Sequence, residues 1–223
     1  MKWRPFFRAG FRYRGWPWYY FYALGKIGLD PAYAVVVEML RDSQRPLLDV
    51  GCGMGLLGSW LRENGCRTSI TGVDLDPNKI ALARQAFGPG DGTFLVGDAL
   101  DLPAHCGDVV LLDVLHYLTD ADQLLLLEKV ADRMAPGGVA LIRSGLNEPN
   151  LRFFFTIVEE WFVKFCRWIP TSGWNFPLRN EILVPFAGSE FETTVRPMWG
   201  CTPFNSYLFV VRRREKPMTA VDG

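Results

Sequence analysis

The stretch 47-LLDVGCGMGLLGSWL-61 places four glycines within eight positions directly after an apolar run. Read from Gly53 it spells G-x-G-x-x-G, the spacing that lets a backbone approach a pyrophosphate at a helix N-terminus. Read from Asp49 it spells D-x-G-x-G-x-G, with a carboxylate at the strand end two residues before Gly51. An anion there repels a pyrophosphate but can hold an ammonium group. The second reading therefore favours a ligand that carries a positive amino group and no phosphate. Glycines at 51, 53 and 55 suit either ligand, because a Cβ at the turn would block close approach to the backbone.

The next two strand ends sharpen the choice. "TGVDLDP" ends in Asp74, about twenty residues past the loop, where a carboxylate can accept both hydroxyls of a ribose. "VGDALDLP" places Asp98 and the Ala99 backbone where an adenine amino group can be read. Three acids at three successive strand ends make an adenosyl ligand with a cationic amino group the most specific reading.

Strand and helix signals alternate from Asp30 onward, the pattern of a parallel sheet covered by helices on both faces. "DPAYAVVVEMLRDS" and "DPNKIALARQAF" each open with an Asp N-cap and a Pro at the first helical position, Asp30–Pro31 and Asp76–Pro77. "TDADQLLLLEKVADRMAPGG" offers Thr119 or Asp120 as a cap and a Pro136-Gly137-Gly138 stop. "PLLDV", "SITGVD", "TFLVGD", "VVLLD" and "VALIRS" read as five buried parallel strands. "EFETTVRP" and "NSYLFVVRRR" read as two more, antiparallel because the "MWGCTPF" connection holds no crossover helix. The expected architecture is α/β: a doubly wound, mostly parallel seven-stranded sheet with a C-terminal antiparallel pair and an N-terminal aromatic flap.

The chain divides on this reading into a basic aromatic flap (1–29), a core domain (30–214) with an apolar helical insertion at about 150–170, and a tail (215–223). The flap combines "WPWYYFYAL" with Lys2, Arg4, Arg8, Arg12, Arg14 and Lys26, all ahead of the first acid, Asp30. Its composition fits a cover packed on the domain and also a segment at a lipid headgroup boundary. "LRFFFTIVEEWFVKFCRWI" has a wide apolar face that fits a core helix, a substrate lid or a membrane-facing helix.

At 223 residues, 49% hydrophobic, the chain can bury one full core, and its formal net charge of zero gives no global field for nucleic acid. Five scattered cysteines without C-x-x-C spacing argue against a disulfide framework or zinc site and for reduced thiols in the cytoplasm. No apolar run approaches the ~20 residues of a membrane span.

The motifs, in order, resemble those of the class I S-adenosylmethionine-dependent methyltransferases. "LLDVGCGMGLLG" is similar to their first motif, "TGVDLDP" to the second-strand acid, and "GDALDLP" to the adenine-contacting turn. "DVVLLDVLHYL" resembles their fourth strand and loop, and "APGGVALIR" their fifth-strand entry. The resemblance covers about residues 30–145 and implies S-adenosyl-L-methionine as cofactor. It implies Asp49 near the methionine amino group, and Gly51, Cys52, Gly53 and Gly55 along the methionine and sugar. Asp74 and neighbouring Leu75 fall at the ribose, Asp98 and Ala99 at adenine, and Asp113 beside the methionine carboxyl or methyl region.

If the acceptor is a hydroxyl, a base with pKa near neutrality is the efficient proton acceptor. Of the two histidines, His116 follows the fourth strand's carboxyl end, where ligands bind in open α/β sheets, whereas His105 precedes that strand. Tyr117 can orient an acceptor or cover the cofactor. Asn147 and Glu148, in the polar run Arg143 to Asn150, are further acceptor contacts on this reading. The aromatic excess around the core points to an apolar or aromatic small-molecule acceptor. A further resemblance, to methyltransferases of aryl polyene pigment clusters, implies an aromatic acyl unit, carrier-bound, as that acceptor. "DVLHYL" in place of N/D-P-P-Y argues against DNA-base or glutamine methylation. The alternatives left open are an RNA or protein methyltransferase and a catalytically silent adenosylmethionine-binding protein. Nucleic acid is not expected as a partner, and peripheral contact with the inner membrane face is the one lipid interaction the flap suggests.

Overall fold

The computed structural model describes residues 3–148, 152–154, 175–199 and 205–215. Most of the apolar segment 150–170, the middle of the 198–204 loop and residues 216–223 lie outside the described residues.

The helix starts follow from local chemistry. Helix α3 (Pro31–Leu40) begins where the Asp30 carboxylate accepts from the Ala32 N–H at 3.0 Å. Helix α5 (Pro77–Phe87) begins where Asp76 accepts from the N–H groups of Asn78 and Lys79, and α6 (Asp120–Arg133) where Thr119 accepts from Asp122. Each side chain satisfies a backbone donor that has no partner within its own helix. Helix α4 (Leu56–Glu63) starts from Gly55 in the left-handed conformation, straight out of the glycine loop.

Seven strands form one sheet in the order β3-β2-β1-β4-β5-β7-β6. They are β1 (Leu47–Val50), β2 (Ile70–Asp74), β3 (Thr93–Val96), β4 (Asp108–Leu112), β5 (Val139–Gly145), β6 (Phe191–Pro197) and β7 (Ser206–Arg213). The first five are parallel; β7 runs antiparallel to both β5 and β6. The strand order reverses between β1 and β4, so the crevice at their carboxyl ends is where this topology opens a ligand site.

Alternate strand residues feed two cores. Leu47, Val110, Leu141 and Leu208 face α3, α4 and α5. Leu48, Val109, Ile142 and Phe209 face α6 and the short α7 (Arg179–Leu183). Leu48, Val109, Val110, Leu141, Ile142 and Phe209 are fully buried, each contributing about 1.5–3 kcal/mol relative to exposure. Strands β3 and β6 are the edges, and their polar or exposed positions, such as Thr193 and Thr194, fit that place.

The segment expected as a flap forms two helices, α1 (Trp3–Phe11) and α2 (Pro17–Leu29). Their inner residues Phe6, Ala9, Tyr13, Ala23 and Ile27 belong to the main core. Between them, the Tyr13 hydroxyl donates to the Met54 carbonyl at 3.0 Å and lies 2.9 Å from Ser59 Oγ. Arg12 donates to Glu63 and to the Ala86 carbonyl. The pair is thereby tied to the glycine loop and to α4.

Candidate active site

A cavity of about 1610 Å³ lies at the carboxyl ends of β1, β2 and β4, closed on one side by α2. Its wall includes Asp49, Gly51, Cys52, Gly53, Asp74, Leu75, Asp98, Ala99, Asp113, His116 and Tyr117. Eleven of the twelve candidate cofactor and catalytic positions thus meet in one space. Gly55 is the exception among them. Its missing Cβ would lie 3.0 Å from Ala83 and 3.1 Å from Phe94, so it serves the turn into α4 rather than the cavity wall.

The glycine loop resolves its double reading. Gly51 has φ +72°, and a Cβ there would meet Val114 Cγ2 at 2.3 Å, so a side chain is excluded twice over. Gly58, the last glycine of the dinucleotide spacing, packs α4 against Phe87, where a Cβ would stand at 2.8 Å. That glycine is a packing device. Gly53 faces open space, and its N–H donates to Asp74 Oδ2 at 2.8 Å. The loop therefore presents its backbone to a carboxylate of the next strand, which leaves little room for a phosphate in the same place.

Asp49 is buried, and burial together with the neighbouring Asp74 pushes its carboxyl up to about 7. Both causes, burial and the second acid, disfavour the ionised carboxylate. Asp74 also accepts the Asp76 N–H at 2.9 Å, and Asp98 accepts the Leu100 N–H at 2.8 Å, fixing both carboxylates at the rim. Leu75 projects between them, largely exposed.

Across the cavity the charges are balanced. Arg143 is buried and pairs with both Asp30 and Asp113. Lys26 Nζ of α2 lies 3.0 Å from Asp30 and 4.0 Å from Asp113. Burial alone would raise the Asp30 carboxyl, but Arg143 and Lys26 outweigh it and hold the group down to about 2. Burial likewise opposes the Arg143 charge, and Asp113 and Asp30 more than restore it. Asp113 sits at φ +58°, a left-handed conformation costly for a residue with a Cβ, held in place by its pairing with Arg143 and by its N–H to the Arg143 carbonyl.

One expectation is corrected here. The polar run divides: Arg143 to Gly145 are the last three residues of β5, as the "VALIRS" strand required for Arg143 and Ser144, and Arg143 is tucked inside. Asn147 and Glu148 turn away from the cavity wall. Glu148 accepts from the Tyr207 hydroxyl at 2.8 Å and from Arg179 at 3.3 Å, and the Asn147 N–H goes to the Pro177 carbonyl.

His116 belongs to a one-turn 3-10 helix, Leu115–Tyr117, after β4. Its ring is 3% exposed, stacks on Phe176 with centroids 5.2 Å apart and planes at 10°, and touches Tyr117 at 4.0 Å. The Asn175–Phe176 segment was not anticipated. It is fastened by the Asn175 N–H to the His116 carbonyl, by Gln123 to the Asn175 carbonyl at 2.7 Å, and by Asn175 to Asp120. Lys26 was read only as part of a basic N-terminus, although its place two helical turns beyond Tyr19 puts it on the cavity-facing side of α2. His105 lies at the opposite end of β4, its ring nitrogen 3.0 Å from the Asp108 carbonyl. Among the described residues no three His, Cys, Asp or Glu side chains are placed to hold a metal.

Residues 47–138 match the methyltransferase domain family. That span runs from β1 to the turn before β5, taking in the glycine loop and all three rim acids. The chain carries a class I S-adenosylmethionine-dependent methyltransferase domain. Its cofactor is S-adenosyl-L-methionine, and the cavity offers such a ligand acids at Asp49, Asp74 and Asp98 and the open backbone of Gly53. Over 148 residues the domain is 30% identical to a ubiquinone biosynthesis O-methyltransferase of Chelativorans, covering 64% of this chain and 54% of that protein. It is 29% identical to a ribosomal protein L11 methyltransferase of Burkholderia ambifaria over 169 residues, 74% of this chain and 51% of the other. The chain thus spans about half the length of these curated relatives. Among solved structures, the magnesium protoporphyrin IX methyltransferase of Synechocystis with bound S-adenosylhomocysteine superposes with TM-score 0.61 at 17% identity, over 82% of this chain and 81% of that one. A putative methyltransferase of Haloferax volcanii, solved in complex with the Trm112 activator, gives 0.64 at 19%, over 87% and 93%. At such identities the likeness is one of fold.

Proposed function

We propose that the protein transfers the methyl group of S-adenosylmethionine to an apolar or aromatic small-molecule acceptor, in the cytoplasm or at the inner membrane face. In this reading residues 1–29 close the cavity, 30–214 form the transfer domain, and 215–223 are a tail. The observation that carries it is the joining, in one cavity, of an acid pair without a basic partner and a wall built of Tyr19, Tyr22, His116, Tyr117 and Phe176. Its volume exceeds the roughly 300–1,000 Å³ of an ordinary small-molecule pocket, which leaves space for a second molecule beside the cofactor.

When bound, S-adenosylmethionine supplies an electrophilic methyl on a sulfonium. Asp49 holds its ammonium group, Asp74 accepts from the ribose hydroxyls with Leu75 packed against the nucleoside, and Asp98 and the Ala99 backbone contact adenine. Gly51, Cys52 and Gly53 bring the main chain close. Asp113, clamped by Arg143, stands beside the methionyl end. The aromatic wall aligns the acceptor and keeps water from the reacting atoms, which is most of what an in-line displacement asks of a protein. His116 would take the acceptor hydroxyl's proton as the new C–O bond forms and the methyl's bond to the sulfonium sulfur breaks, the neutral thioether leaving with that electron pair, and Tyr117 would orient the acceptor ring. Of apolar acceptors, an aryl polyene precursor on a carrier suits the stacked His116–Phe176 pair, since a planar ring prolongs that stack. The ubiquinone-pathway relative, an O-methyltransferase, supports oxygen as the methylated atom.

The test is incubation of the protein and a host-cell extract with methyl-labelled S-adenosylmethionine, followed by separation into organic-soluble, aqueous and macromolecular fractions. Label in the organic phase supports the proposal. Label in RNA or protein contradicts it.

A further inference from the structure

Helices α1 and α2 bury one face in the core and leave the opposite face covered with large apolar side chains. On α1, Trp3, Phe7 and Phe11 recur every fourth residue and form one exposed row, with Arg4 and Arg8 in the next row around the helix. On α2, Trp18 and Phe21 are each 68% exposed. Side chains of this size are rarely left in water in such number, and grouped exposure marks a surface that meets something. Neither the core, which takes Phe6, Ala9, Ala23 and Ile27, nor the cavity, which takes Trp16, Tyr19, Tyr22 and Lys26, covers these outer rings, and on α1 Trp3 and Phe7 stack on each other along the surface.

We propose that the outer face of the α1–α2 pair is a membrane-docking surface that seats on an anionic bilayer and turns the cavity mouth toward it. Three observations favour lipid over a protein partner. The charge that flanks the aromatic rows is basic: Arg4, Arg8 and Arg14 are all exposed, and Arg14 lies over the Phe11 ring at 4.2 Å. The pairing of Trp and Phe with a parallel Arg row on one helix is the pattern of helices that lie in the headgroup plane, where rings enter the acyl boundary and guanidinium groups stay with phosphates. The surface also adjoins the cavity, because exposed Trp16, the residue before α2, and exposed Leu29 at its end line the cavity while Trp18 and Phe21 stand exposed on the same helix. No described helix is long and apolar enough to cross a membrane, so the contact is peripheral. An acceptor dissolved in lipid would enter the cavity without crossing water; that consequence rests on the proposed methyl transfer, whereas the docking itself does not.

The test is flotation of the full chain with vesicles of phosphatidylcholine alone and of phosphatidylcholine with phosphatidylglycerol. The protein is expected to float with the anionic vesicles and to be released by raised salt. Trp18→Ser with Phe21→Ser should lower vesicle affinity at least about tenfold, since each ring removed from the interface loses apolar burial. Arg4→Glu with Arg14→Glu should lower it more than tenfold on anionic vesicles only, each basic group near such a surface being worth about 1 kcal/mol, or roughly fivefold. Unchanged S-adenosylmethionine affinity by calorimetry shows that these variants fold. Failure to bind either vesicle overturns the proposal, as does binding that the variants leave untouched. A wild-type dimer that the same variants dissociate would assign the face to a second copy of the chain and overturn it equally. None of these results depends on finding the methyl acceptor.

Discussion

Two pairs of carboxylates line one cavity, each with one buried member, Asp30 or Asp49, and they are treated in opposite ways. Asp30 and Asp113 are neutralised within the protein by Arg143 and Lys26, and Asp30 is held ionised down to about 2. Asp49 has only burial and Asp74 for company, and its carboxyl rises to about 7. A charge with its partner built in is structural: it fixes β5 to α2 and the loop after β4. An acid whose nearest charge is another acid is costly in the ionised form, a cost that the donor's ammonium group would relieve in the function proposed. The difference separates scaffold from binding surface more sharply than position does, since both groups line the same space.

The scaffold half is where the largest effect is expected. Arg143→Ala leaves buried Asp30 and half-buried Asp113 with Lys26 alone and should lower stability by about 3 kcal/mol in a urea titration. A loss under about 1 kcal/mol would mean the network is dispensable and the contrast drawn above is false. His116 stands between the halves. His116→Ala should reduce turnover about a hundredfold with donor affinity and urea midpoint little changed; an unaltered rate and pH profile would make the ring a packing element. On the binding half, Asp74→Ala should weaken S-adenosylmethionine about thirtyfold, the scale of charge-assisted hydrogen bonds lost, without the stability loss seen at Arg143. Calorimetry showing equal affinity would remove the ribose assignment.

The smallest effect concerns Asp49 and carries a sign. Its folded carboxyl titrates near 7, above the usual carboxylate value, so the folded state holds a proton that the unfolded state has released. Ligand-free stability should therefore fall as pH rises from about 4 to about 7, and level off beyond. Asn mimics the protonated acid, so Asp49→Asn should flatten that slope and stabilise the ligand-free protein at about pH 8 while weakening the donor. Asp30 works in the other direction: its contribution is present above the usual carboxylate range and is lost only as pH falls through about 2.

What the sequence made legible was whatever is encoded locally. Asp30–Pro31, Asp76–Pro77 and Thr119 announce helix starts because cap and first turn are contiguous, and the glycine loop with its strand-end acids is a set of short motifs in order. What stayed hidden depends on contacts far apart in the chain. Arg143 is legible as the polar end of the "VALIRS" strand, but nothing nearby reveals that Asp30, 113 residues earlier, and Asp113 will neutralise it there. Asn175 and Phe176 contact His116 directly, and Gln123, 52 residues from Asn175, holds them there, with no periodicity to mark them. Gly55 shares a spacing with Gly51 and Gly53, yet serves the helix behind it. The N-terminal aromatics show their split between core, cavity and surface only when the two helices are in place.

The most direct test of the central claim, that the Asp49 side of the cavity awaits a cationic donor, is calorimetric titration of S-adenosylmethionine at about pH 6.5 in two buffers of different ionisation enthalpy. The ammonium group should draw Asp49 into its ionised form, so binding should release a proton and tighten as pH rises toward about 7, and Asp49→Asn should abolish the release. Binding without proton release in the native protein, or release that persists in Asp49→Asn, would contradict the account.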